Sequence, residues 1–322
     1  MGRQRGCPGK RVGNAGSNYL MSIKEQAQAE EIHAEETKTP TVSVPVNLVR
    51  LSKVGQRPDF LDYLVQLWDR RSFIFFDARA RVQSGQDKNH LGIAWLVLTP
   101  VLSGLSFYLI FGVFLGTSKG IDNFIGYLII GVFTFSMTTR SILGGAKSLT
   151  SNTSMIRAFQ FPRASLPIAL NVRELLSNIP VTIVMLLFII FTAPAEEITW
   201  RWLLIIPAIL LQFLFNLGIG MLLAPVLLRI PDLSHLLSFI IRFLMYASAV
   251  FFAEDRFGKY PVMRTIMDFN PVFQVIKIIR DSVLYDTTPS WRSWAVLSLW
   301  ALGSVAAGLF IFWRGEESYG RV

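Results

Sequence analysis

Cysteine is almost absent from this 322-residue chain, with Cys7 the single example. One thiol excludes an internal disulfide and offers no cysteine-based metal cluster. Histidine is scarce as well. His33, His90 and His235 fall in a tail, a link and a loop, too scattered for a ligand set. Charged residues make up only 16% of the chain, against about 25% in an ordinary soluble domain. No Gly-x-x-x-x-Gly-Lys-Ser/Thr loop is present, since Gly144-Gly145-Ala146-Lys147-Ser148 lacks the Gly–Lys step. A Gly-x-Ser-x-Gly elbow is missing, and so is an acidic cluster fit for a divalent metal and a sugar nucleotide. The expectation is no catalytic residue, no metal and no cofactor in this chain. Uphill work would draw its energy from another subunit. Residues 1–56 also lack the apolar stretch of about 7–15 residues that a cleavable signal needs, so the first membrane helix is expected to direct insertion.

What is abundant is apolar sequence: 52% of residues are hydrophobic and the mean hydropathy is +0.45. Leu91–Leu115, Leu175–Ala195, Leu203–Leu228 and Trp294–Trp313 carry no Asp, Glu, Lys or Arg over about the 20 residues a helix needs to cross hydrocarbon. Phe124–Thr139 is a shorter candidate, and Leu236–Ala253 is interrupted by Arg242. An all-α membrane protein with six transmembrane helices is the expected fold. Residues 1–56 read as a disordered cytoplasmic tail, rich in Gly, Glu, Gln, Thr, Ser and Lys. Within it, Met21-Ser22-Ile23-Lys24-Glu25 looks like a natural start, leaving Met1 or Met21 as the initiator. Residues 57–90 form an amphipathic segment and link, and residues 91–322 the six-helix domain.

Charge sets the orientation. Between Asn123 and Arg173 there is no acidic residue, while Arg140, Lys147, Arg157, Arg163 and Arg173 cluster in or beside the loop after the second span. Glu196 and Glu197 follow the third. The positive-inside bias places the basic loop and both termini in the cytoplasm. The outer segment Glu254–Arg292 runs against that bias, with six basic and five acidic residues. The net charge of +9 fits basic cytoplasmic loops facing anionic lipid. Nucleic acid is not expected, because no basic helix or aromatic-basic module accompanies the charge.

Two features are unlike plain spans. Pro58 and Asp59 suit a helix start, and Leu61, Leu64, Val65 and Trp68 then recur at helical spacing. That pattern fits an interfacial amphipathic helix, or a helix packed on its own protein. Before the last span, Pro261–Asp268 and Pro271–Tyr285 are each too short to cross and are separated at Asn270-Pro271. Two re-entrant helices within 254–290 are expected, the alternative being a hairpin resting on headgroups. On the second, Val272, Val275, Ile276, Ile279 and Val283 form one stripe and Gln274, Lys277 and Asp281 another. Arg242 either snorkels or meets a phosphate in a passage. Phe107, Tyr108, Phe111, Phe133, Phe135, Tyr246, Phe251 and Phe252 either face lipid or line a channel. Gly112-x-x-x-Gly116-x-x-x-Gly120 and Gly303-x-x-x-Ala307 allow close helix approach, within or between chains.

These pieces occur in a familiar order. Arg79-Ala80-Arg81 leads into Leu91-Gly92-Ile93-Ala94-Trp95 and Pro100; Phe161-Pro162-Arg163 follows the second span; Asn270-Pro271 opens an amphipathic helix; Glu316-Glu317-Ser318-Tyr319-Gly320-Arg321 ends the chain. From about Arg57 onward the sequence resembles the permease subunits of ABC-2-type exporters of lipid-linked polysaccharides such as O-antigen, teichoic acid and galactan. The long link Gly85–His90, the segment Thr117–Asp122, and Ala249 where many members have Pro, depart from the common pattern and lean towards the galactan branch. The resemblance implies a bacterial inner-membrane permease that passes a polyprenyl-diphosphate-linked glycan outward. Two copies would pair with two ABC ATPase subunits, which would bind the ATP and Mg. Coupling is implied at Arg157, Phe159, Phe161, Pro162 and Arg163, with Trp68–Arg71 and Arg229–His235 adding contacts; simple anchoring in the headgroup layer is the alternative. Arg70, Arg71, Arg79 and Arg81 are candidates to receive the pyrophosphate at the entrance, or merely to hold anionic headgroups. Phe107, Tyr108, Phe111, Phe133, Phe135, Arg242, Tyr246 and Phe251 are candidates for the channel. Asn270, Pro271, Gln274, Lys277 and Asp281 are candidates for the outer gate. A drug or lipid exporter of the same type is the neighbouring possibility. A polyprenyl-dependent glycosyltransferase would need an acidic motif that Glu196, Glu197, Glu254 and Asp255 do not form.

Overall fold

The computed structural model describes residues 59–84, 94–114, 123–159, 161–191, 198–252 and 261–319. The tail 1–56 and the links 85–93 and 115–122 fall outside them. Among the described residues the regular structure is helical: α1 Phe60–Asp69, α2 Arg71–Ser84, α3 Ala94–Phe107, α4 Phe124–Lys147, α5 Thr153–Ala158, α6 Ser165–Phe191, α7 Ile205–Arg229, α8 Leu233–Ala247, α9 Pro261–Phe269, α10 Pro271–Val283 and α11 Trp291–Gly315. A π-helical run, Tyr108–Phe114, continues α3, and a 3₁₀ turn, Trp200–Leu204, leads into α7.

Among the described residues, four helical stretches are long and apolar enough to cross a membrane: Phe124–Lys147, Ser165–Phe191, Trp200–Arg229 and Trp291–Gly315. Expected span ends shift where polar side chains find partners. Helix α4 runs on past Thr139 because Arg140 reaches Glu174 of α6 at 3.2 Å, and Glu174 also takes Arg173 at 2.8 Å. Helix α8 stops at Ala247 rather than Ala253. Its 15 residues rise about 22 Å, short of the roughly 30 Å hydrocarbon core.

Local chemistry fixes the helix ends. Asn123 accepts from the Gly126 N–H at 2.8 Å, Asn270 from Val272 and Phe273, and Ser290 from Ser293, each satisfying donors a helix start leaves bare. Pro271 follows Asn270 at the first position of α10, where a missing N–H costs nothing.

Helix α7 lies at the centre, against α4 on one side and α11 on the other. Its glycines allow this. A Cβ on Gly218 would stand 2.3–2.5 Å from Ser304 and the Val305 nitrogen, and one on Gly220 would meet Gly145 at 3.1 Å. On α11 the close-packing pair is therefore Ser304 and Gly308. The expected pair does not pack within the chain: nothing lies within 4 Å of a Cβ on Gly303. Gly112 has no described side-chain surroundings, and Gly116 and Gly120 lie outside the described residues. One large apolar core unites α4, α6, α7, α8, α10 and α11; a smaller one gathers Tyr63, Leu67, Ile156, Leu166, Met221 and Phe312.

Helix α10 is not a half-exposed amphipath. Both of its stripes meet protein, and of residues 271–280 only Lys277 is not fully buried. Helix α9 is the reverse, with Met267 its one buried residue.

Candidate functional site

Helix α1 places Tyr63 and Leu67 one turn apart on its buried face, while Leu61, Val65 and Trp68 remain exposed. The apolar stripe read from sequence thus lies mostly on the open face, with Leu64 alone of its four residues packed against the small core, and the packed face is formed by Tyr63 and Leu67. Tyr63 is at the meeting point of three chain segments. Its hydroxyl donates to Glu316 Oε2 at 2.9 Å and accepts from the Ala164 N–H at 3.2 Å. The Arg163 N–H donates to Glu316 Oε1 at 3.1 Å. The Arg163 guanidinium donates to the Glu316 backbone carbonyl and stands 4.0 Å from its carboxylate. Phe60 meets Trp313 edge-on at 5.5 Å, closing the cluster from the side.

The chain end folds back to complete it. Tyr319 packs on Phe312 at 5.4 Å, which is possible because Gly315 has no side chain; a Cβ there would be 2.2 Å from the Tyr319 hydroxyl. Burial pushes the Glu316 carboxyl above its usual range, opposed by the Arg163 N–H, the Tyr63 hydroxyl and the Arg163 charge. Burial, then the Glu316 charge, raises Tyr63 far above the usual phenol range, so it stays a donor. The same two causes push Tyr319 up to about 12.

The loop held by this clasp is the one singled out in the sequence. Pro162 is buried, Arg163 and Phe161 are half-buried, and Phe161 packs against the small core. Phe159 projects, 66% exposed, and Arg157 is exposed beside it. The base is fixed and the tip is exposed. A small cleft of about 30 Å³ next to it is lined by Phe73, Asp77, Arg81, Asn152, Met155 and Arg173 among others. Of the four candidate entrance arginines, Arg81 lines this cleft and pairs with Asp77 at 2.9 Å. Arg70, Arg71 and Arg79 are exposed, with Arg71 lying 5.1 Å over the Trp68 ring.

Within one chain the candidate channel residues do not form a single lining. Tyr108 and Phe133 line one apolar cavity of about 370 Å³ between α3, α4 and Phe188 of α6. Phe135 and Phe251 are buried in the core, and Tyr246 stacks 5.7 Å from Phe251. Phe107 and Phe111 are helical, but their side chains fall outside the described set. Arg242 is exposed on α8.

Among the described residues the buried cation is Arg280 instead, counted in the sequence only as one charge of a loop. Its guanidinium donates to the carbonyls of Ala249 (2.9 Å), Tyr127 (2.9 Å) and Val250 (3.1 Å) and lies 3.2 Å over the Tyr127 ring. Gly131 makes room for it, since a Cβ there would be 2.7 Å from Nη2. Around it, Asn270 donates to Ser248 Oγ at 2.9 Å, Gln274 donates to the Asp268 carbonyl at 2.6 Å, and Lys277 lies 5.7 Å over Phe273. The Asp281 carbonyl accepts from the Thr287 N–H at 2.8 Å. At this same end Arg201 and Asp286 pair at 2.6 Å.

The chain is 27% identical over 240 residues to an O-antigen export system permease protein RfbA of Klebsiella pneumoniae, covering 73% of this chain and 87% of that one. It is 22% identical over 246 residues to the RfbA permease protein of Myxococcus xanthus, covering 74% and 93%. The family model described as ABC-2 type transporter matches residues 81–284. With more than half its length inside that match and several membrane-long helices around it, the chain is a multi-pass membrane protein of the ABC-2 type transporter family.

Proposed function

We propose that this chain is the permease subunit of an ATP-driven exporter that moves a polyprenyl-diphosphate-linked polysaccharide across the bacterial inner membrane. The relatives named as O-antigen export permeases support the cargo class. The observation that carries the mechanism is the loop with a pinned base and an exposed aromatic tip at Phe159. Such a tip fits a cleft on a soluble ATPase, and ATP and Mg belong to that partner. Two copies of this chain and two ATPase subunits complete the assembly, with six spans per chain and both termini in the cytoplasm. Helix α3 with its π-helical continuation and the short α8 serve as the first and fifth spans, and α9 and α10 as the re-entrant pair.

Transport then divides into three tasks. Arg70, Arg71, Arg79 and Arg81 attract the pyrophosphate from the cytoplasmic leaflet. Each basic residue near the anionic surface contributes about 1 kcal/mol to that attraction. The passage forms between two copies rather than inside one, which accounts for the dispersal of Tyr108, Tyr246 and Phe251. At the far end α9 and the Asn270–Asp281 segment govern exit.

The test is to purify the chain with its ATPase chain in lipid vesicles and to measure ATP turnover with and without lipid-linked glycan. Stimulation that requires both subunits supports the reading; glycan-insensitive turnover refutes it. Phe161→Ala combined with Arg163→Ala is expected to leave the chain inserted while abolishing export. Normal export by that double variant would remove the coupling role from the loop.

A further inference from the structure

The clasp between Tyr63, Arg163 and Glu316 joins elements that are far apart in the chain, separated by 253 residues in one contact and 153 in another. Tyr63 belongs to α1, Arg163 to the loop before α6, and Glu316 to the turn after α11. Every bond in it is made at the base of the loop, and the exposed tip has none of them. In such an arrangement a displacement that reaches Arg163 from Phe159 moves α1 and the end of α11 with it, or breaks hydrogen bonds to a half-buried carboxylate.

We infer that Glu316 and Tyr63 are positioning residues of the coupling loop, transmitting its motion to the amphipathic helix that carries the entrance arginines. The inference rests on the docking reading of the Phe159 tip, and it adds a route: the loop drives α1, and through it Arg70 and Arg71, so the lipid entrance changes in step with the partner's closure. Glu316 supplies two acceptors from its carboxylate and one from its backbone. Tyr63 carries the hydrogen bonds of the clasp to α1, beside the ring contact of Phe60 with Trp313. Removing its hydroxyl cuts that hydrogen-bonded link and also leaves the buried Ala164 N–H without its acceptor.

Ser165 provides a reporter. It is 2% exposed at the start of α6, directly after Ala164, and its hydroxyl makes no hydrogen bond, so a thiol in its place loses no contact. In a Cys7→Ser background, the Ser165→Cys chain is assembled with its ATPase subunit in vesicles and reacted with a water-soluble maleimide. Glu316→Ala and Tyr63→Phe are each expected to raise the labelling rate about tenfold or more, the scale set by losing a hydrogen bond to a charged group. Glycan exported per ATP hydrolysed falls in both, while Glu316→Gln, which keeps an acceptor for the Arg163 N–H, restores most of the ratio. Unchanged labelling in Glu316→Ala overturns the clasp whatever the loop does. Raised labelling together with normal export by Phe159→Ala overturns the docking reading and leaves the anchoring by Glu316 and Tyr63 in place. Raised labelling with an unchanged export-to-ATP ratio in both variants overturns the transmission role.

Discussion

Ala249 holds a backbone conformation that costs an L-residue about 1–2 kcal/mol, with φ at +49°. The strain is held by its carbonyl, which accepts from Arg280 at 2.9 Å and from the Tyr127 hydroxyl at 3.2 Å. Proline's φ is locked near −65°. Ala249→Pro is therefore expected to disorganise the turn and lower the melting temperature in detergent; an unchanged melt would refute the left-handed turn. Glu316 gives a second test at this scale. Its carboxyl titrates above the ordinary value of about 4.3 because it is buried. A carboxyl raised on folding favours the fold fully below its ordinary value and loses that contribution as pH rises through the folded one. Acidification should thus stabilise the parent chain relative to Glu316→Gln, whose amide does not titrate. A difference in melting temperature that stays constant between about pH 4 and 8 would contradict this.

Among the helices, the contact of α7 with α11 gives the sharpest contrast. Gly218→Ala drives a methyl group into Ser304 and the backbone of Val305, and overpacking of that kind costs about 1–3 kcal/mol. Gly303→Ala enters open space and should be neutral or gain up to about 1 kcal/mol of helix propensity. Thermal unfolding of the two variants in the same detergent checks the pair; equal losses would refute the register. That register was not legible in the sequence. Small residues recur at i, i+4 on two adjoining faces of α11, and no pattern in the chain says which face meets α7. Among the described residues four of the six expected spans are membrane-long helices, and for the three read as Leu175–Ala195, Leu203–Leu228 and Trp294–Trp313 the reason is plain: uncharged windows of membrane length have few other fates. Their ends were not, because Arg140 and Glu174 enter helices as a pair whose partners lie 34 residues apart. The break at Asn270-Pro271 was readable from capping chemistry alone. The depth of α10 was not, since counting charges in Glu254–Arg292 could not show that Arg280 is buried among carbonyls.

For the molecule as a whole, the two parts of the coupling loop should separate experimentally. Phe159→Ala removes an exposed ring and is expected to leave the melting temperature within about 0.5 kcal/mol of parent stability while weakening retention of the ATPase subunit on affinity capture. Undiminished capture would refute the tip as the docking point. The loop was visible in the sequence as Phe161-Pro162-Arg163, whereas its fastening was not: residues 63, 163 and 316 become neighbours only once α1 and α11 are packed. At the opposite pole the arginine seated on Tyr127 has a mechanical corollary. Because its three acceptors belong to α4 and to the turn after α8, α10 is riveted to both, and any aperture on that side must hinge within α9 or else carry α4, the turn and α10 outward as one plate.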